Sequence, residues 1–83
     1  MKNVTIYSTD TCHFCHLAKD YFTAHNVPFT DINVGTDMVR RTEMIEMTGQ
    51  MGVPVISITE EGKDPIIMVG FNEKLIADSL DIT

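Results

Sequence analysis

Hydrophobic and polar positions along the chain fall into seven short stretches whose periods alternate between those of strands and helices. Val4-Thr5-Ile6-Tyr7 is β-branched and aromatic on both faces, the composition of a strand buried on two sides. From Phe14 the apolar positions run Phe14, Leu17, Ala18, Tyr21 and Phe22. That i, i+3, i+4, i+7, i+8 spacing predicts one stripe of a helix reaching about His25, ended by Asn26-Val27-Pro28. Between Phe29 and Val34, Ile32 and Val34 alternate with Asp31 and Asn33, which predicts a strand polar on one face and placed at a sheet edge. A strand, helix and strand at this spacing form a right-handed βαβ unit, so the second strand should run parallel to the first.

The remaining half continues the alternation. Gly35-Thr36-Asp37 offers caps for a helix from about Met38 to Thr48, with Gly49 placed to stop it in the left-handed conformation and a weaker apolar stripe than the first. Val53 to Ile58 and Pro65 to Val69 are apolar runs joined by the charged turn Glu60-Glu61-Gly62-Lys63-Asp64, a hairpin pattern. Asn72 is placed to cap a last helix whose buried face carries Leu75, Ile76 and Leu80. The order is βαβαββα with no internal repeat, linker or low-complexity segment, so residues 1–83 are expected to form one α/β domain.

Composition narrows what such a domain does. Six basic against twelve acidic residues leave a formal net charge of −6, a field that repels phosphate backbones and anionic headgroups. Nucleic acid and membrane surfaces are therefore not expected partners. The longest apolar run, Pro65 to Val69, is far below the roughly 18 residues of a membrane span. Met1-Lys2-Asn3 leads straight into a strand pattern with no secretory stretch, and a cytoplasmic monomer is expected.

The two cysteines, Cys12 and Cys15, stand between the first strand and the first helix. A bond between them closes a loop too short to remove much unfolded-chain entropy, so the pair is a poor structural strut. At the first turn of a helix, unpaired N–H groups and the positive end of the dipole favour a thiolate, and such sites reach roughly 3.5 to 7.5 against about 8.5 for a free thiol. Cys12 gains this. Cys15, one turn in, is placed to turn back on a partner already bound to Cys12, so the geometry divides attack from resolution. Other readings of the residues stay open at this point. Both cysteines can be small buried hydrophobes. Cys12, His13, Cys15 and His16 can be zinc ligands, although only His25 lies elsewhere to complete a set. A metal or iron–sulfur binding module using Cys12 is a further alternative, and Cys12-His13-Phe14-Cys15-His16 also satisfies the C-x-x-C-H haem-attachment pattern. Met38, Met44, Met47 and Met51 are expected to fill the core rather than ligate haem.

Around the pair, His13 and His16 are expected to exert a small electrostatic influence, and Lys19, seven residues past Cys12, to be merely solvated. Arg40 and Arg41 suit either a carboxylate or a solvated surface. Val53-Pro54 opens a strand where proline is uncommon; an ordinary trans bond, or a cis bond that turns the Val53 backbone outward to an extended substrate, both account for it. Gly70-Phe71 is either a plain turn or one that leaves N–H groups open to a carboxylate.

Tyr7-Ser8-Thr9-Asp10-Thr11-Cys12-His13-Phe14-Cys15, then Gly52-Val53-Pro54-Val55, then Val69-Gly70-Phe71, resemble the glutaredoxin family over nearly the whole chain. The resemblance implies a thioredoxin-like fold, a four-stranded mixed sheet flanked by helices. It implies a thiol–disulfide oxidoreductase with Cys12 as nucleophile, Cys15 as resolving thiol and Pro54 as a cis-proline beside them. Thr11, His13, Phe14, Val53, Pro54, Gly70, Phe71 and Asn72 then form the substrate or glutathione site. No metal and no tightly bound cofactor are implied; the partners are a disulfide-containing protein substrate and an electron donor, glutathione or thioredoxin reductase. The chain departs from the family pattern in carrying His13 where many members have Pro, Ser8 where many have Lys, and Val69-Gly70-Phe71-Asn72 in place of the glutathione-binding Gly-Gly-x-Asp. That turn is similar instead to the Ser-Gly-Phe of NrdH-redoxins, which accept electrons from thioredoxin reductase.

Overall fold

The computed structural model describes residues 2–80. Its elements are β1 (Lys2–Ser8), α1 (His13–Ala24), β2 (Thr30–Asn33), α2 (Met38–Thr48), β3 (Val55–Glu60), β4 (Ile66–Val69) and α3 (Glu73–Leu80). The strands form one sheet in the order β2-β1-β3-β4. β1 pairs in parallel with β2, with Tyr7 opposite Ile32, and antiparallel with β3, with Tyr7 opposite Val55. β3 and β4 close the hairpin, with Val55 opposite Val69. The parallel βαβ unit, the edge position of β2 and the hairpin are as the hydrophobic pattern predicts. No helix among the described residues is long and apolar enough to cross a membrane.

Alternation along β1 explains why both its faces are apolar. Val4 and Ile6 pack with Ala18, Phe22, Ile56, Ile58, Met68 and Ile76 beneath α1 and α3, whereas Tyr7 packs with Val34, Met44 and Val55 beneath α2. Each fully buried aliphatic or aromatic side chain contributes about 1.5 to 3 kcal/mol, so the first cluster holds most of the fold's stability. The cap residues act as expected. Asp37 accepts a hydrogen bond from the Arg40 N–H at 3.1 Å, and Gly49 ends α2 with φ 72°.

Four expectations need correction. The buried stripe of α1 is Cys15, Ala18 and Phe22, while Phe14 and Leu17 are 58% and 38% exposed, because the helix is rotated so that its cysteine rather than its first phenylalanine faces the sheet. Met44 alone among the α2 methionines and their neighbour fills the core; Met38, Met47 and Met51 are exposed, since only one residue of this helix is buried. Leu75 is also exposed, leaving Ile76 as the buried contact of α3. Finally, β3 begins at Val55, so Val53-Pro54 precedes the strand and costs its ladder no donor.

Candidate functional site

The register brings three segments to one end of the sheet. Ser8 ends β1 and leads into the loop before α1; Val55, opposite Tyr7, is preceded by Val53-Pro54; Val69, opposite Val55, is followed by Gly70-Phe71-Asn72. The loop between β1 and α1 is tied down at several points. Cys12 N–H donates to the Thr9 carbonyl at 3.3 Å, and Asn33 Nδ2 donates to Asp10 Oδ1 at 2.9 Å while Asn33 Oδ1 accepts from the Gly35 N–H at 2.9 Å. His16 Nε2 lies 3.1 Å from the Asp10 carbonyl oxygen, an acceptor for the ring proton when Nε2 carries it.

Cys12 is the N-cap of α1, in extended conformation at φ −84° and ψ 110°, and its sulfur accepts the Cys15 N–H at 3.2 Å. That sulfur therefore occupies the place that a Ser or Asp oxygen takes in an ordinary cap, where an orphan amide and the helix dipole favour negative charge. Cys15 is fully buried and Cys12 is partly exposed. The two sulfurs are in bonding contact, with their Cα atoms 5.2 Å apart. Thr11, His13 and Phe14 around them are exposed, the His13 and Phe14 rings meeting edge to face with centroids 5.6 Å apart.

On the other side of the site the Val53–Pro54 bond is cis, Pro54 is fully buried and Val53 is half-buried against the second core cluster. The Pro54 carbonyl accepts the Gly70 N–H at 2.8 Å, and Gly70 has φ 88°, which suits glycine. A freely available Gly70 N–H, one reading of this turn, is thus corrected: the donor is used inside the fold. The Phe71 ring packs against the first core cluster and edge-on to Tyr21 at 5.9 Å, and Asn72 Oδ1 accepts the Leu75 N–H at 3.0 Å, capping α3 as expected.

Three polar residues on β1, α1 and β2 carry more than their sequence suggested. Lys19, expected to be solvated, pairs with Asp31 Oδ2 at 3.1 Å, and the buried Ser8 hydroxyl donates to Asp31 Oδ1 at 2.6 Å. Burial pushes the Asp31 carboxyl up, but the Ser8 and Lys19 hydrogen bonds, the Lys19 charge and His16 outweigh it and hold the group below its ordinary value. Arg40 pairs with Glu43 at 2.8 Å on α2. Among the described residues no set of three or more His, Cys, Asp or Glu side chains converges as metal ligands.

Comparison with known proteins agrees with this geometry. The glutaredoxin family model matches residues 4–62. A glutaredoxin-like 8.6 kDa protein of the rubredoxin operon of Clostridium pasteurianum is 46% identical over 84% of this chain and 87% of its own length. Glutaredoxin 3 of Escherichia coli is 38% identical over 70% of each chain. A thioredoxin-like protein of known structure superposes with a TM-score of 0.82 at 20% identity over the whole of both chains, which shows the thioredoxin-like fold. The NrdH-redoxin of Escherichia coli superposes with a TM-score of 0.74 at 25% identity over 92% of each chain. With a C-x-x-C pair closed at a helix start and these matches across most of its length, the chain belongs to the glutaredoxin family of thiol–disulfide oxidoreductases.

Proposed function

We propose that Cys12 is the attacking thiolate and Cys15 the resolving thiol of a dithiol exchange on protein disulfides, in a cytoplasmic electron carrier reduced by thioredoxin reductase. The observation that carries the division of roles is the contrast between the two sulfurs. Cys12 is partly exposed at the N-cap and accepts an amide hydrogen bond, whereas Cys15 is fully buried. The Cys12 thiolate attacks one sulfur of the substrate disulfide, forming a mixed disulfide and releasing the other sulfur as a thiolate. Cys15 then loses its proton and attacks Cys12, expelling the second substrate thiolate and leaving the Cys12–Cys15 disulfide. Two electrons from the reductase restore the dithiol. Exposed Thr11, His13 and Phe14 lie beside the attacking sulfur, and the backbone of Val53 before the cis bond supports pairing with an extended substrate.

The choice of donor rests on the turn after β4. Glutathione is small and charged at both ends, so a few charge-assisted hydrogen bonds, each about 1.5 to 3 kcal/mol, decide its affinity. In this chain the Gly70 N–H is spent on Pro54, the Asn72 Oδ1 is spent on the Leu75 N–H, and the Phe71 ring is spent on the core. Those uses favour a protein reductase over glutathione, and the similar NrdH-redoxin is described as having a thioredoxin-like activity profile. NADPH consumption on a model disulfide tests this. Turnover with thioredoxin reductase should exceed turnover with glutathione and its reductase by at least about tenfold, the cost of one lost charged contact. Efficient turnover in the glutathione system alone overturns the assignment of donor.

A further inference from the structure

The Ser8–Asp31–Lys19 set takes no part in the exchange just described. It joins three elements: Ser8 at the end of β1, Asp31 in β2 and Lys19 in α1. Lys19 stands four residues past Cys15, one turn further along the same face of the helix, and helical side chains lean back toward the N-terminus. The ammonium is thereby carried toward the turn that holds the buried thiol. Asp31 meets it from β2, close enough to the first turns of α1 that His16 also acts on its carboxylate. A pair of this kind, with 22% and 39% of the two side chains exposed, adds little to stability. Its larger effect is on the charge balance beside a thiol that has to ionise in a buried place.

We propose that Lys19 and Asp31 are a compensated charge pair whose members shift the acidity of Cys15, and through it the reduction potential of the dithiol, in opposite directions, so that each holds the other's effect in check. Both residues are positioning residues, since neither touches the reacting sulfurs. The inference rests on the reading of Cys15 as the resolving thiol. When Cys15 gives up its proton, Lys19 stabilises the new thiolate and Asp31 opposes it; with both present the two effects nearly cancel. Ser8 fixes the carboxylate on the lysine and keeps the cancellation in place. Stabilising the thiolate stabilises the reduced protein, which makes the disulfide a stronger oxidant. The remaining charged and titratable groups at this end are Tyr7 in β1, Asp10 on the loop, His13 and His16 on α1, Asp37, Arg40 and Arg41 at the start of α2 on the other face of the sheet, and Glu73 and Lys74 at the start of α3. The segments Val53 to Val55 and Val69 to Gly70 bring none.

Two single variants should therefore move the site in opposite directions. Asp31→Asn leaves the Lys19 ammonium unopposed and should shift the equilibrium with a glutathione redox buffer about threefold to tenfold toward the reduced protein, roughly 15 to 30 mV upward. Lys19→Gln leaves the carboxylate unopposed and should shift it by a similar factor toward the disulfide. The Asp31→Asn, Lys19→Gln double variant should return to the wild-type value, and Lys19→Arg should keep it. Thiolate absorbance against pH in a Cys12→Ser background reads Cys15 directly and should show the same signs: the Cys15 pKa falls in Asp31→Asn and rises in Lys19→Gln. Shifts of one sign in both variants, or no shift beside a lowered Tm, overturn the proposal and reduce the set to a structural clasp. If Asp31→Asn does not fold, an unchanged or raised potential in Lys19→Gln overturns it alone. Failure of the dithiol reading looks different, because wild-type protein then shows no disulfide turnover whatever these variants do.

Discussion

Beneath α1 and α3 the sheet carries a cluster of eight buried residues, with Tyr21, Val27, Phe29, Phe71 and Leu80 packed around it. Beneath α2 the cluster has four, and Met38 and Val39 on that helix are 58% and 77% exposed. The dithiol belongs to the first side. Cys15 is the opening residue of the buried stripe that continues through Ala18 and Phe22, so its sulfur lies on the helix face that Ala18 and Phe22 anchor in the larger core. A site that has to return to one geometry after every exchange is thus built on the face least able to open locally. α2, by contrast, is held by its Asp37 and Gly49 caps and one buried methionine.

The sharpest test of that contrast compares one large core residue from each face. Phe22→Ala should cost about 3 to 5 kcal/mol, while Met44→Ala should cost nearer 2 kcal/mol. A core of this size supplies only about 3 to 5 kcal/mol in all, so Phe22→Ala should lose its cooperative urea transition and Met44→Ala should keep one. A larger loss in Met44→Ala would reverse the ranking of the two faces.

A smaller effect concerns acid. The Asp31 carboxyl is held below its ordinary value of 3.8 in the folded protein, so its contribution to stability is present above that value and is lost as pH falls through the lower folded value. Unfolding of the wild type should steepen below about pH 4, and Asp31→Asn should flatten that limb and be slightly less stable at neutral pH, where the carboxylate contributes. An acid limb unchanged in Asp31→Asn would mean that the clasp between β2 and α1 exerts no force on folding.

How far the chain could be read in advance follows from the range of each physical signal. The cysteine pair was legible because its reactivity is a local matter: Cys12 at a helix start meets an orphan amide and a dipole wherever the rest of the chain goes. β1 was legible because its two apolar faces demand burial on both sides, and β2 because Asp31 and Asn33 mark an edge. Rotation of a helix about its axis is a different matter. Phe14 and Leu17 lie beside the true stripe of α1, and only the packing of Ala18 and Phe22 with Ile6 and Ile56 in one core turns the helix so that Cys15 is buried and Phe14 and Leu17 are not. The methionines misled for the same reason, since an unbranched side chain suits a core but does not create one. Lys19 and Asp31 are twelve residues apart, and their meeting depends on the parallel register that sets Asp31 opposite Ile6. The use of the Gly70 N–H by Pro54 likewise needs the β3–β4 register, which no local pattern reports.

The central claim is the division of labour between the two sulfurs, and mass spectrometry of two single variants exposed to a protein disulfide tests it most directly. Reduced Cys15→Ser should accumulate a mixed disulfide on Cys12, because the attack proceeds and nothing resolves it. Cys12→Ser should neither trap substrate nor turn it over, since Cys15 is fully buried. Normal turnover in Cys12→Ser, with Cys15→Ser inactive and free of adduct, would contradict the account and reverse the two roles.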